Sequence, residues 1–268
     1  MRRRSVWTLI VLASVAALAL ATAASARNAE GTTAAATLPL NGTLDLRSRI
    51  AGACPAGTPS NVVCPERSGS GVVRGLGRVT ETYSFTVDVM PSSCPSGSVK
   101  VLRYPVRWVV AGKGEIYFMM DGRPECIGAD AGFNTDQQYT ITGGTGTFAG
   151  ASGSGTADRA LGQTDEGAAG RETWTGTLVV PGFEFDLAPP ALAGARTKTV
   201  RAPRRATRAR VTYAVTARDA VDGAVPARCR PASGTRFKLG RTVVRCTATD
   251  TSGNTATAAF TVSVKPPR

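Results

Sequence analysis

The sequence predicts an all-β protein: an N-terminal antiparallel β-barrel of about eight strands, followed by a second, smaller β unit. Three observations carry that expectation. Apolar residues recur at every second position over short runs, and no window shows a helical period worth the name. Gly, Pro, Asn and Ser cluster between those runs as turn signals. Residues 143–156 are densely glycyl, and small residues let a sheet bend and close, which favours a barrel over an open sandwich.

The elements follow in order. Residues 1–26 read as a signal peptide: Arg2, Arg3 and Arg4, an apolar run over 6–21, then Ala24-Ser25-Ala26 as a small-residue cleavage site. The apolar run is shorter than the ~20 residues of a spanning helix, and nothing later is more apolar, so we expect a secreted, extracellular protein with no membrane span after signal cleavage. Residues 27–37 read as a disordered leader, 38–187 as the barrel, 188–196 as a linker and 197–265 as the second unit. In the barrel, Leu38, Leu40, Leu44 and Leu46 alternate with polar positions. Runs over 79–89, 102–110, 116–120, 137–142, 153–158, 172–180 and 183–187 supply the other expected strands. The second unit has a patterned strand over 209–217, then Val244, Cys246 and Ala248, and a last strand with Phe260, Val262 and Val264 facing one way.

Composition excludes several chemistries. The 268 residues contain no His, which removes Ser-His and Cys-His catalysis and the commonest general base. No Gly-x-Ser-x-Gly motif is present, and no two Cys stand at zinc-site spacing. We expect no enzyme and no cofactor. The six Cys all follow the apolar run and read as disulfides of an oxidising compartment. Cys229 and Cys246 flank one turn, and their bridge is worth about 3 kcal/mol in the chain-entropy model. The other four Cys allow three connectivities. A simple meander places Cys94 and Cys126 at one barrel end and Cys54 and Cys64 at the other, so the expected pairs are Cys54–Cys64 and Cys94–Cys126.

Two carboxylates break the alternation: Glu81 shares a face with Tyr83, and Glu172 with Trp174. A buried, unpaired carboxylate is costly. The simpler expectation puts both at strand ends, reaching solvent or an Arg. The functional one is a polar spot in a barrel mouth, with Glu81, Tyr83, Trp108, Tyr139, Glu172 and Trp174 binding a small ligand. Asp219, Asp222 and Asp250 occupy loops, but turn propensity explains each of them, and no calcium is expected there. Part of the net charge of +13 sits in the signal, and much of the rest lies in the run 196–210. There Arg201, Arg204, Arg205 and Arg208 are the candidates for contact with an anionic envelope polymer. Aromatics do not interleave with that run, so no specific nucleic acid is expected.

Residues 229–264 carry Cys229, Pro231-Ala232-Ser233-Gly234, Phe237, Gly240-Arg241-Thr242-Val243-Val244-Arg245-Cys246, Ala248-Thr249-Asp250 and Ser252-Gly253-Asn254. This order closely resembles the hyalin-repeat (HYR) module, present in one copy. The resemblance implies an immunoglobulin-like β-sandwich in an extracellular adhesion protein, with a cell-surface protein or glycan as partner. Residues 139–151 resemble the Gly-rich turn of dirigent and allene-oxide-cyclase-like barrels, which implies a secreted small-ligand carrier or barrel enzyme as the alternative function.

Overall fold

Eight strands pair edge to edge around a largely apolar interior, and the outer edges meet. In the computed structural model, which describes residues 36–49, 54–123, 125–128 and 136–268, they are β1 (Ala36–Arg49), β2 (Glu66–Val73), β3 (Gly77–Ser84), β4 (Tyr104–Val110), β5 (Gly114–Met120), β6 (Asp136–Gly144), β7 (Ser152–Thr164) and β8 (Gly167–Val180). Each pairs antiparallel with its chain neighbour, and β1 closes the barrel by pairing with both β2 and β8. The expected signal peptide and residues 27–35 of the leader lie outside the described residues; Ala36 and Thr37 already belong to β1.

One barrel strand has no counterpart in the sequence reading. The inward positions of β2 are Arg67, Gly69, Gly71 and Val73, so the strand lacks an apolar alternation. The glycines are there for space: a Cβ on Gly69 would lie 2.5 Å from Leu46 Cδ2, and one on Gly71 would lie 2.3 Å from the Thr43 carbonyl oxygen. Missing this strand reverses the ends. The three cysteine pairings form as expected, with S–S distances of 2.04, 2.07 and 2.04 Å. However, Cys54–Cys64 and Cys94–Cys126 belong to the same barrel end, not to opposite ends. There the segments Val62–Val63, Val87–Asp88, Ser98–Val101 and Ile127–Gly128 form a small sheet.

Two further expectations are corrected. The run 79–89 is not one strand: β3 stops at Ser84, and Val87–Asp88 leaves the barrel for the small sheet, where Asn61 Nδ2 donates to Asp88 Oδ1 at 2.8 Å. Residues 183–187 form no strand; Phe183 and Phe185 instead pack their rings against the barrel core, 4.9 Å apart.

The C-terminal part comprises β9 (Ala191–Ala193), β10 (Lys198–Arg201), β11 (Arg208–Arg210), β12 (Thr216–Asp219), β13 (Gly223–Val225), β14 (Ala227–Arg230), β15 (Arg236–Lys238), β16 (Gly240–Thr249) and β17 (Thr255–Lys265). They form the sheets β9-β12-β13, β10-β17-β16-β14 and the ribbon β11-β15. Val244, Cys246, Phe260, Val262 and Val264 meet Ala209, Val211 and Phe237 in one core. The expected linker is partly strand, because β9 pairs with β12. The expected strand over 209–217 changes partner midway. At Tyr213 the ladder is interrupted, since its amide donates to Ser233 Oγ at 2.8 Å and its carbonyl accepts from the same hydroxyl at 2.6 Å.

Barrel and module pack into one compact unit. The β2–β3 turn docks on the Ser252-Gly253-Asn254 turn: the Gly75 amide donates to the Ser252 carbonyl at 2.7 Å, and Arg74 Nε to Asn254 Oδ1 at 3.2 Å. Lys113, in the β4–β5 turn, donates to Ser252 Oγ at 3.4 Å.

Candidate functional site

All six residues expected around a barrel pocket lie inside the barrel. Glu81, Trp108, Glu172 and Trp174 have no exposed surface, and Tyr139 and Tyr83 are buried. Neither glutamate stands at a strand end, which overturns the simpler expectation, although Glu172 does meet an arginine. Strand register brings the partners together. Glu81 on β3 lies opposite Trp108 on β4, and Glu172 on β8 lies opposite Arg159 on β7. Trp108 Nε1 donates to Glu81 Oε2 at 2.6 Å, and Trp174 Nε1 to Glu172 Oε2 at 2.7 Å. Arg159 forms an ion pair with Glu172, both side chains fully buried.

Burial raises the Glu81 carboxyl well above the ordinary carboxylate range, and the charge of Glu172 and a hydrogen bond with it add to the effect. Both effects favour the proton-bound form of Glu81 beside Glu172. Around it, Tyr104 donates to Gln137 Oε1 at 2.6 Å, and Arg67 lies 4.1 Å from the Phe85 ring centroid. Burial also pushes the Tyr104 phenol up to about 12. The indoles of Trp108 and Trp174 pack 4.8 Å apart, with Phe118 and Tyr139 beside Trp174 at 4.9 Å each. Tyr139 fits because Gly155 and Gly176 lack side chains; a Cβ on either would lie 2.5 or 2.6 Å from its hydroxyl.

Between the glutamates and the module the barrel is therefore filled with side chains. A cavity of about 880 Å³ lies at the opposite, disulfide-bearing end. Its buried lining is Ser48, Arg67, Tyr83 and Ala168, and its rim includes Arg47, Arg49, Glu66, Asp165 and Glu166. Of the six expected pocket residues, Tyr83 alone lines it. Sequence reasoning missed Arg159, Arg67 and Gln137. The signal for Arg159 was the continued alternation Ala157, Arg159, Leu161, which runs past the expected strand end at 158.

The aspartates group differently from expectation. Asp186, Asp219 and Asp250 bring their carboxylate oxygens within 4.8 Å of one another beside the junction. Asp222 instead accepts from the Thr251 amide and hydroxyl, each at 2.7 Å. Asp219 accepts the Val221 and Asp222 amides, and Asp250 the amide and side chain of Asn254. Hydrogen bonds from those backbone amides hold Asp219 below its ordinary range.

The candidate polyanion residues Arg201, Arg204, Arg205 and Arg208 are all exposed. The structure widens this run into a surface. Arg208 and Arg210 on β11 lie opposite Lys238 and Arg236 on β15, and Arg230 lies opposite Arg245. Residues 185–268 hold sixteen Lys and Arg against four Asp, so they carry +12 of the chain's +13. The sequence reading stopped at the linear run because alternate-position cations on separate strands join only through strand register.

The molecule thus joins a closed, disulfide-bonded β-barrel to a cationic β-module. Residues 185–264 match the HYR domain family model, which confirms the C-terminal resemblance and begins ahead of the expected start at Thr197. The dirigent-like resemblance of the barrel finds no counterpart in these comparisons. No curated protein and no solved structure matches the chain. HYR domains and disulfides are typical of extracellular proteins. Among the described residues no helix is long and apolar enough to cross a membrane. The outward side chains of β1 include the exposed Thr37, Asn41, Thr43, Asp45 and Arg47, the reverse of a lipid-facing apolar band.

Proposed function

We propose that this is an exported, non-enzymatic binding protein, in which the HYR module attaches the chain to anionic polymer of a cell surface and presents the barrel. The carrying observation is the division of charge. Residues 185–268 display +12, whereas the barrel's acid-base candidates Glu81 and Glu172 are wholly buried and held by indoles and Arg159. A carboxyl that no substrate reaches performs no acid-base step. The test is sedimentation of the mature protein with intact cells and envelope fractions across a salt series. Binding at low salt that weakens as salt rises is expected; no binding at any salt overturns the reading.

A small-ligand carrier is the second reading, and the cavity beside Ser48, Arg67 and Tyr83 is the observation that favours it. Its volume of about 880 Å³ falls within the ~300–1,000 Å³ of small-molecule sites. Neither Glu81 nor Glu172 lines that cavity, however, so this reading no longer rests on the carboxylates.

A further inference from the structure

The strand ladders of the module set cation against cation. Arg208 faces Lys238, Arg210 faces Arg236, Arg230 faces Arg245, and Arg201 stands beside Lys265. Like charges directly opposite on neighbouring strands destabilise a sheet, and nothing within the module offsets them. Among the described residues no ion pair involves a residue after Glu172. The four aspartates of the module engage backbone and side-chain donors. These cations are therefore arranged at a cost to the fold that an external anion would relieve.

The densest arrangement is the β11–β15 ribbon. Ala209 and Phe237 turn into the core at 5% and 3% exposure, which leaves Arg208, Arg210, Arg236 and Lys238 on the outer face, all exposed. Strand geometry spaces them about 7 Å along each strand and about 5 Å across. Arg210 Nε donates to the Gly234 carbonyl at 2.7 Å, which fixes its guanidinium. Arg204 and Arg205 stand exposed just before the ribbon. On the wider sheet the cations are diluted: Arg241 faces Ser263, Arg228 faces Thr247, and Thr247 is the next outward residue after Arg245.

We propose that the β11–β15 ribbon is a docking site for a linear anionic polysaccharide, whose successive charged groups lie along the grid of Arg208, Arg210, Arg236 and Lys238. This rests on the binding reading above and names the surface and the polymer class. No aromatic side chain stands outward on the ribbon to stack a base. Leu239, 40% exposed next to Lys238, is a single apolar side chain and not the apolar face that a membrane-surface element requires. Cations at regular intervals on two paired strands suit a repeating polyanion.

The test uses the full mature chain and three probes: heparin, a DNA oligonucleotide, and phosphatidylglycerol vesicles. Two charge-matched variants are compared, Arg208→Glu/Lys238→Glu on the ribbon and Arg228→Glu/Arg245→Glu on the wider sheet. The expected result is heparin binding preferred over the other probes. The ribbon variant should lose at least ~30-fold in heparin affinity and flatten its salt dependence, since each neutralised charge contributes a log–log slope of about 0.7–0.9. The sheet variant should lose less than ~3-fold, as a remote screened charge. Arg208→Glu alone, facing Lys238, should bind heparin less well yet melt at a higher temperature, a combination that damage to the fold does not produce. Equal losses in both variants overturn the proposal, as does tighter binding of the DNA or the vesicles with the same mutational pattern. The same variants are also sedimented with cells: a wild type that binds cells while the ribbon variant binds them equally removes the ribbon assignment and leaves the binding reading standing. A wild type that binds no cells removes both.

Discussion

The barrel and the module treat charge in opposite ways. The barrel takes Glu81, Glu172, Arg159 and Arg67 into its interior and matches them to indoles, phenols and each other. The module keeps its charged residues outside and leaves cations facing cations. A buried charge must be satisfied within the fold, so the barrel network draws its partners from the barrel itself. An exposed charge has water as its alternative partner, so the module tolerates its unmatched surface. The side chains that look most like catalytic machinery in the sequence are therefore the buried ones, and the bland basic run is the exposed one.

The largest effect that separates the two regions is removal of one arginine from each. Arg159→Leu leaves Glu172 buried without its counter-ion and should cost about 3–5 kcal/mol in urea denaturation. Arg245→Ser on the exposed sheet should stay within about 0.5 kcal/mol of wild type. A barrel indifferent to the loss of Arg159 would break the contrast. Next comes the module's own bridge: Cys229→Ala/Cys246→Ala should lose about 3 kcal/mol, although both residues lie on directly opposed strand positions.

The Glu81 carboxyl gives a pH signature. Its pKa in the fold is raised by burial and by Glu172, so the folded state holds the proton more tightly than the unfolded chain does. Its favourable contribution is full below the unfolded carboxylate pKa of about 4.3 and is lost as pH rises through the raised folded value. Glu81→Gln should therefore gain stability relative to wild type as pH climbs through that window, in paired thermal melts. A difference independent of pH would mean that Glu81 carries no extra proton. The smallest effect belongs to the module: Arg208→Glu creates a cross-strand ion pair with Lys238 and should add about 0.2–1 kcal/mol.

Much of the barrel was legible because inward Leu38, Leu40, Leu44 and Leu46 or Trp108 and Val110 announce their face by period alone. β2 was not, because Gly69 and Gly71 occupy inward positions where neighbouring side chains need the room. That omission also placed the two N-terminal disulfides at opposite ends, although their pairing came out as expected. The pocket residues were found as a set, since all of them point inward, but of the six only Tyr83 lines the cavity. Alternation shows that Glu81 is inside; only register shows that Trp108 and Glu172 complete it. The cationic ribbon was half visible for the same reason, with Arg208 read from the sequence and Lys238 supplied by the fold.

The most direct test of the division of charge is binding to intact cells over a salt series, comparing two variants with equal charge change. One is Arg208→Glu/Lys238→Glu on the module; the other is Arg47→Glu/Arg171→Glu on the exposed outer face of the barrel. The predicted result is strong, salt-sensitive binding that the module variant loses and the barrel variant retains. Binding that ignores salt, or that the barrel variant loses equally, would contradict attachment through the module.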